Sequence, residues 1–86
     1  MFKLWAKAYN ENNKMINNQT FQFSQEFDVK YLNAYMQVIC NEWKTETPIV
    51  LSYHVATFNN FNQVKFTKND FVDDVDFSYL IVQLIP

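Results

Sequence analysis

Four side chains at alternating positions, Lys3, Trp5, Lys7 and Tyr9, carry the most pointed chemistry in this sequence. Residues two apart on an extended strand project to the same side, so the four form one surface on which ammonium groups and aromatic rings interleave. Such a surface suits single-stranded nucleic acid, with rings stacking on bases and lysines neutralising phosphate. It equally suits a protein interface anchored by Trp and Tyr. It also describes an ordinary strand whose tryptophan packs under lysine stems. Lys3, Trp5, Lys7 and Tyr9 are the candidate binding surface on any of the three readings.

Other reactive residues are sparse. Cys40 and His54 are the only thiol and the only imidazole, a nucleophile and a base if brought together. No third group is placed by spacing to orient them. Cys40 falls beside an apolar helical stripe, where a thiol behaves as a small hydrophobe. His54 falls near the end of a short helix. One Cys and one His also fall short of four tetrahedral zinc ligands. Asp70, Asp73, Asp74 and Asp76 form the densest acidic run, but their spacing is not that of a calcium loop, which also needs a glycine at its sharp turn. Charge there is better explained as solvating and capping a turn. Nothing places Glu42 or Glu46 in a cleft as an acid and base pair. The sequence therefore predicts no catalytic residue, no metal ligand and no cofactor.

Composition narrows the classes further. The chain of 86 residues has no glycine, which removes the phosphate-cradling loops of the common nucleotide binders. It also has no arginine and a net charge of −2, a poor match to duplex DNA. A single cysteine and an N-terminus without an apolar signal core predict a reducing, cytoplasmic setting. No run approaches the roughly 18 apolar residues that would predict a membrane span. At this length one hydrophobic core is expected, so residues 1–86 are read as one domain. Aromatic residues at 19% supply the bulk to fill that core without a disulfide or metal.

The elements follow from periodicity. Residues 2–9 alternate as a strand with Phe2, Leu4, Ala6 and Ala8 on its apolar face. Asn10-Glu11-Asn12-Asn13 supplies a turn, and residues 14–23 return as the second arm of a hairpin. With no glycine, Asn and Asp must take the left-handed positions. From Asp28, a capping residue, Val29, Leu32, Met36, Ile39 and Trp43 recur at helical spacing, predicting an amphipathic helix of about four turns. Tyr31 and Tyr35, beside Val38 and Glu42, either extend an exposed aromatic patch or cover the edge of the core. Ile49-Val50-Leu51 reads as a short buried strand. Ser52 is expected to cap a short helix to about Asn60, followed by a strand at 62–67. Thr67 to Asp70 has capping-box spacing, and a turn or short helix is predicted over 68–75. The final segment, 79–85, is apolar on both faces and belongs inside the sheet; at an edge it would be a dimer seam.

The Leu4-Trp5-Ala6-Lys7 opening, the Thr47-Pro48-Ile49-Val50-Leu51-Ser52 stretch and the Asp70-Phe71-Val72-Asp73-Asp74-Val75-Asp76-Phe77 run together resemble a group of small bacterial proteins without an assigned activity. The resemblance spans most of the chain. It implies a bacterial cytosolic origin and transfers no site residues. The sequence thus predicts an α+β domain: a mainly antiparallel sheet of about five strands, ordered hairpin, helix, strand, short helix and two strands, with one long amphipathic helix on one face. Its expected role is a non-catalytic protein-interaction module whose partner is another protein or a second copy of itself. The alternative is single-stranded nucleic-acid binding on the Lys and aromatic strand face.

Overall fold

Alternation carries the N-terminal hairpin, as a computed structural model covering Met1–Pro86 shows. Strand β1, Phe2–Tyr9, pairs antiparallel with β2, Met15–Phe23, with a bulge at the Ala8/Tyr9 end. The turn between them is built from asparagine. The Asn10 side-chain oxygen accepts from the Asn12 and Lys14 backbone N–H groups at 2.9 and 3.0 Å. Asn13 takes the left-handed conformation at φ 63°, in the role glycine fills elsewhere.

A 3₁₀ turn at Val29–Tyr31, capped by Asp28 accepting from the Lys30 N–H, leads into α1 at Leu32–Glu42. The expected four-turn helix is therefore a shorter α-helix with a tighter first turn. The second helix, α2, spans Ser52–Phe61 and is nearly as long, so there are two helices of similar length where one dominant helix was expected. Strand β3, Gln63–Thr67, a 3₁₀ turn at Lys68–Asp70 and strand β4, Tyr79–Ile85, complete the order.

The sheet has four antiparallel strands in the order β2-β1-β4-β3. The predicted fifth strand at Ile49-Val50-Leu51 is absent. That segment makes one anchoring bond, Ile49 N–H to the Asp70 carbonyl at 2.7 Å, and the Leu51 N–H is taken by the His54 ring to start α2. With Pro48 lacking a donor at one end and a helix beginning at the other, too little backbone remains to form a ladder. Ile49 and Leu51 are exposed. Strand β4 is interior, as its two apolar faces predict, so it is not a dimer seam; the free edges are β2 and β3.

Both helices lie on one side of the sheet. Phe2, Leu4, Ala6, Ala8, Phe21, Phe23, Val64, Phe66, Leu80 and Val82 from the strands meet Leu32, Tyr35, Met36, Ile39, Cys40 and Phe58 from the helices in one buried cluster. Phe2 stacks on Phe23 with ring centroids 4.8 Å apart, and both approach Tyr35 edge-on or tilted. Tyr35 is buried, with its hydroxyl accepting from the Asp28 N–H at 3.1 Å, while Tyr31 remains outside. Of the two tyrosines, one closes the core and the other faces solvent. The opposite side of the sheet carries no helix.

Candidate functional site

The open face of the sheet collects the residues singled out on β1. Pairing places Trp5 beside Gln83, Lys7 beside Ile81 and Tyr9 beside Tyr79, with Lys65 of β3 beyond Ile81. Lys3 is exposed, Trp5 and Tyr9 are half-buried, and Lys7 is only 9% exposed. The Lys7 ammonium donates to the Gln83 side chain at 3.0 Å and lies 4.2 Å from the Trp5 ring centre. Tyr9 and Tyr79 stack at 4.8 Å, and the Lys65 ammonium sits 4.4 Å from the Tyr79 ring. The Trp5 indole N–H donates to Asn18 and the Tyr79 hydroxyl to Asn13.

Chemically, this is a row of cation–π and stacked contacts already satisfied within the fold. One ring face of Trp5 and one of Tyr9 are occupied, and Tyr79 is covered by Tyr9 and by Lys65. The strand residues on this face include Lys3, Lys7 and Lys65 and no carboxylate, against the net negative charge of the chain. Lys65, Tyr79, Ile81 and Gln83 were missed in the sequence because membership of the face depends on strand order. Their own alternation within 63–67 and 79–85 was the available signal.

A second surface adjoins β2. Hydrogen bonding alternates along antiparallel strands, and the Leu84 N–H bonds to the Asn62 carbonyl. Carried across the register, that phase points the main-chain groups of Asn17, Gln19, Phe21 and Phe23 toward β1 and those of Asn18, Thr20 and Gln22 outward. The whole strand, Met15–Phe23, contains no charged residue. Helix α1 runs beside this edge: the Trp43 indole donates to the Gln19 side chain at 2.9 Å, and Tyr35 packs on Phe23. Its outer flank shows Tyr31, Ala34 and Val38, which with Phe23 and Tyr35 form the apolar part of an open groove of about 450 Å³ that Gln25, Glu26 and Asp28 also line.

The titratable residues are drawn into local structure. His54, 1% exposed, accepts the Leu51 N–H at Nδ1, which puts its proton on Nε2, 3.4 Å from the Asp70 carboxylate. Ser52, expected as the cap of α2, is instead its first residue; Leu51 precedes it and the imidazole does the capping. Asp70 accepts from the Thr67 N–H at 2.9 Å and from the Tyr53 hydroxyl at 3.1 Å. Burial pushes the Asp70 carboxyl up, but the Thr67 N–H, the Tyr53 hydroxyl and the nearby His54 together outweigh it and hold the group below its ordinary range. Burial pushes the Cys40 thiol up to about 12, leaving it protonated and unreactive. Both His54 nitrogens face Leu51 and Asp70, so Cys40 and His54 are not paired.

The acidic run does not converge on one point. Asp70 is engaged with Thr67 and Tyr53, while Asp73 lies against Glu46, whose carboxyl is raised by desolvation first and by Asp73 second. No three His, Cys, Asp or Glu side chains come together in a geometry that could hold a metal ion. No helix is long and apolar enough to cross a membrane. Comparison with protein-family models, with curated proteins and with solved structures returns no match to this chain.

Proposed function

We propose that this chain is a small non-catalytic protein-interaction module that binds through the free edge of β2 and the adjoining flank of α1. The observation that carries this reading is the undefended edge. Natural sheets blunt exposed edges with charge, proline, short length or a covering element. Strand β3 follows that practice, being five residues long with a central lysine. Strand β2 has nine residues, no charge and no proline, and is bordered by the exposed Tyr31 and Val38. An extended segment added there would gain main-chain hydrogen bonds from Asn18, Thr20 and Gln22 and apolar contact from the helix flank.

Thr20→Pro tests this. Its N–H points away from β1, so proline removes an outward donor without breaking the β1–β2 ladder. Affinity capture from the native cell should retain a protein on the unmodified chain and lose it on T20P, with circular dichroism of the two unchanged. Identical capture by both baits would overturn the assignment.

One observation favours a second reading, single-stranded nucleic acid on the open face: its lysines and rings occur there without a carboxylate. Titration of a Trp43→Phe variant with mixed-sequence single strands reads Trp5 alone. Quenching at low salt that disappears at high salt supports this reading, and unchanged fluorescence at low salt eliminates it.

A further inference from the structure

We infer that the occupant of the β2 edge is the same edge of a second copy, paired antiparallel about a two-fold axis through Thr20, giving a continuous eight-stranded sheet. This rests on the interaction reading above and adds partner, register and contacts. An antiparallel pair needs outward-facing main-chain groups at matched positions, and β2 offers them at Asn18, Thr20 and Gln22. Centring the axis on Thr20 uses all of them: Thr20 meets its own copy, and Asn18 meets Gln22 of the second copy in both directions. No other centre on this short edge pairs every outward residue.

Two features flanking the strand's centre agree with antiparallel self-pairing. Lys14 precedes β2 and Glu26 follows it beyond a bend at Ser24–Gln25, so antiparallel pairing brings the lysine end of one strand toward the glutamate end of the other, and no like charges meet within the seam. Ile16, 49% exposed on the helix side beside Trp43, sits at the bulge and comes toward the chain that follows Phe23 in the second copy. That places it near the mouth of the groove, whose apolar lining of Phe23, Tyr31, Ala34, Tyr35 and Val38 is shared with Gln25, Glu26 and Asp28. The contact is reciprocal: each copy gives an isoleucine and receives one, as an isologous interface requires. A foreign strand has no reason to match both the terminal charges and the position of the apolar knob. In a second copy each of these contacts occurs twice by symmetry.

Light scattering and sedimentation on the purified chain provide the test. The unmodified protein should show twice the 10.3 kDa chain mass at high micromolar concentration. T20P should stay monomeric and folded. Lys14→Glu should weaken association by about tenfold, and the double variant K14E/E26K should restore it, an outcome a merely structural role for either residue would not produce. Thr20→Cys should form a disulfide-linked dimer on mild oxidation, since residues facing each other across such a pair lie within about 5.5 Å.

A monomer throughout, with capture of another protein still abolished by T20P, overturns the self-pairing and leaves the edge reading standing. A dimer unaffected by T20P, with capture also unaffected, overturns both. A T20C chain that dimerises without cross-linking overturns the register.

Discussion

Lys44 stands where a helix ordinarily ends on glycine. Its φ is 54°, and two bonds close the end of α1: Lys44 N–H to the Asn41 carbonyl and Thr45 N–H to the Cys40 carbonyl. That is a Schellman arrangement with a lysine in the left-handed seat. A side chain there costs about 1–2 kcal/mol, partly offset because glycine loses about 0.4–1 kcal/mol more on ordering. Lys44→Gly should therefore stabilise the chain by about 0.5–1 kcal/mol, read as a higher urea midpoint with unchanged slope. Asp70 makes the opposite kind of prediction. Its folded carboxyl titrates below the ordinary value of 3.8, so its contribution is present above that value and is lost as pH falls through the folded one. Asp70→Asn should cost about 1–3 kcal/mol near neutrality, and its urea midpoint should converge on that of the unmodified chain as the pH is lowered below the carboxylate range. The Thr67 to Asp70 spacing showed half of this cluster in the sequence. The approach of Tyr53 and His54 did not show, because it depends on how α2 packs against the turn after β3.

At the scale of elements, helix α1 has two apolar sides with different work. Met36 and Ile39 are fully buried, and Ile39→Ala should cost about 2–5 kcal/mol. Val38 on the outer flank is 49% exposed, and Val38→Ala should change monomer stability by less than about 0.5 kcal/mol. The same substitution should weaken association, because Val38 lines the groove that receives Ile16. Chemical denaturation at low concentration and sedimentation at high concentration separate the two effects. The inner stripe at Val29, Leu32, Met36, Ile39 and Trp43 was plain from its spacing. The spacing also puts Tyr31 and Val38 on the flank of that stripe, yet nothing local distinguishes an apolar flank that stays exposed from one that folds under. Strands β1 and β4 were legible for the same periodic reason. The Ile49-Val50-Leu51 run misled because three apolar residues fit a strand, whereas the preceding proline and the capping histidine give the backbone other partners.

Across the whole molecule, strand order decides which edges and faces lie open, and strand order is the property that local pattern encodes least. Placing β4 beside β1 buries the strand whose two apolar faces would have made it a seam, and it leaves β2 at the rim. The same order gathers Lys65 and Tyr79 beside Lys7 and Tyr9 on the open face, where the cations and rings satisfy one another. The surface first singled out on β1 is thus largely self-contained, while an edge with no singled-out residue carries unspent main-chain donors and acceptors. The interaction account turns on those groups. Amide hydrogen exchange followed residue by residue tests it directly, comparing low micromolar with millimolar protein. Self-pairing of β2 predicts that the Asn18, Thr20 and Gln22 amides become protected as concentration rises, while those of Asn17, Gln19 and Phe21, already bonded to β1, gain much less. Equal, rapid exchange of Asn18, Thr20 and Gln22 at both concentrations would contradict it.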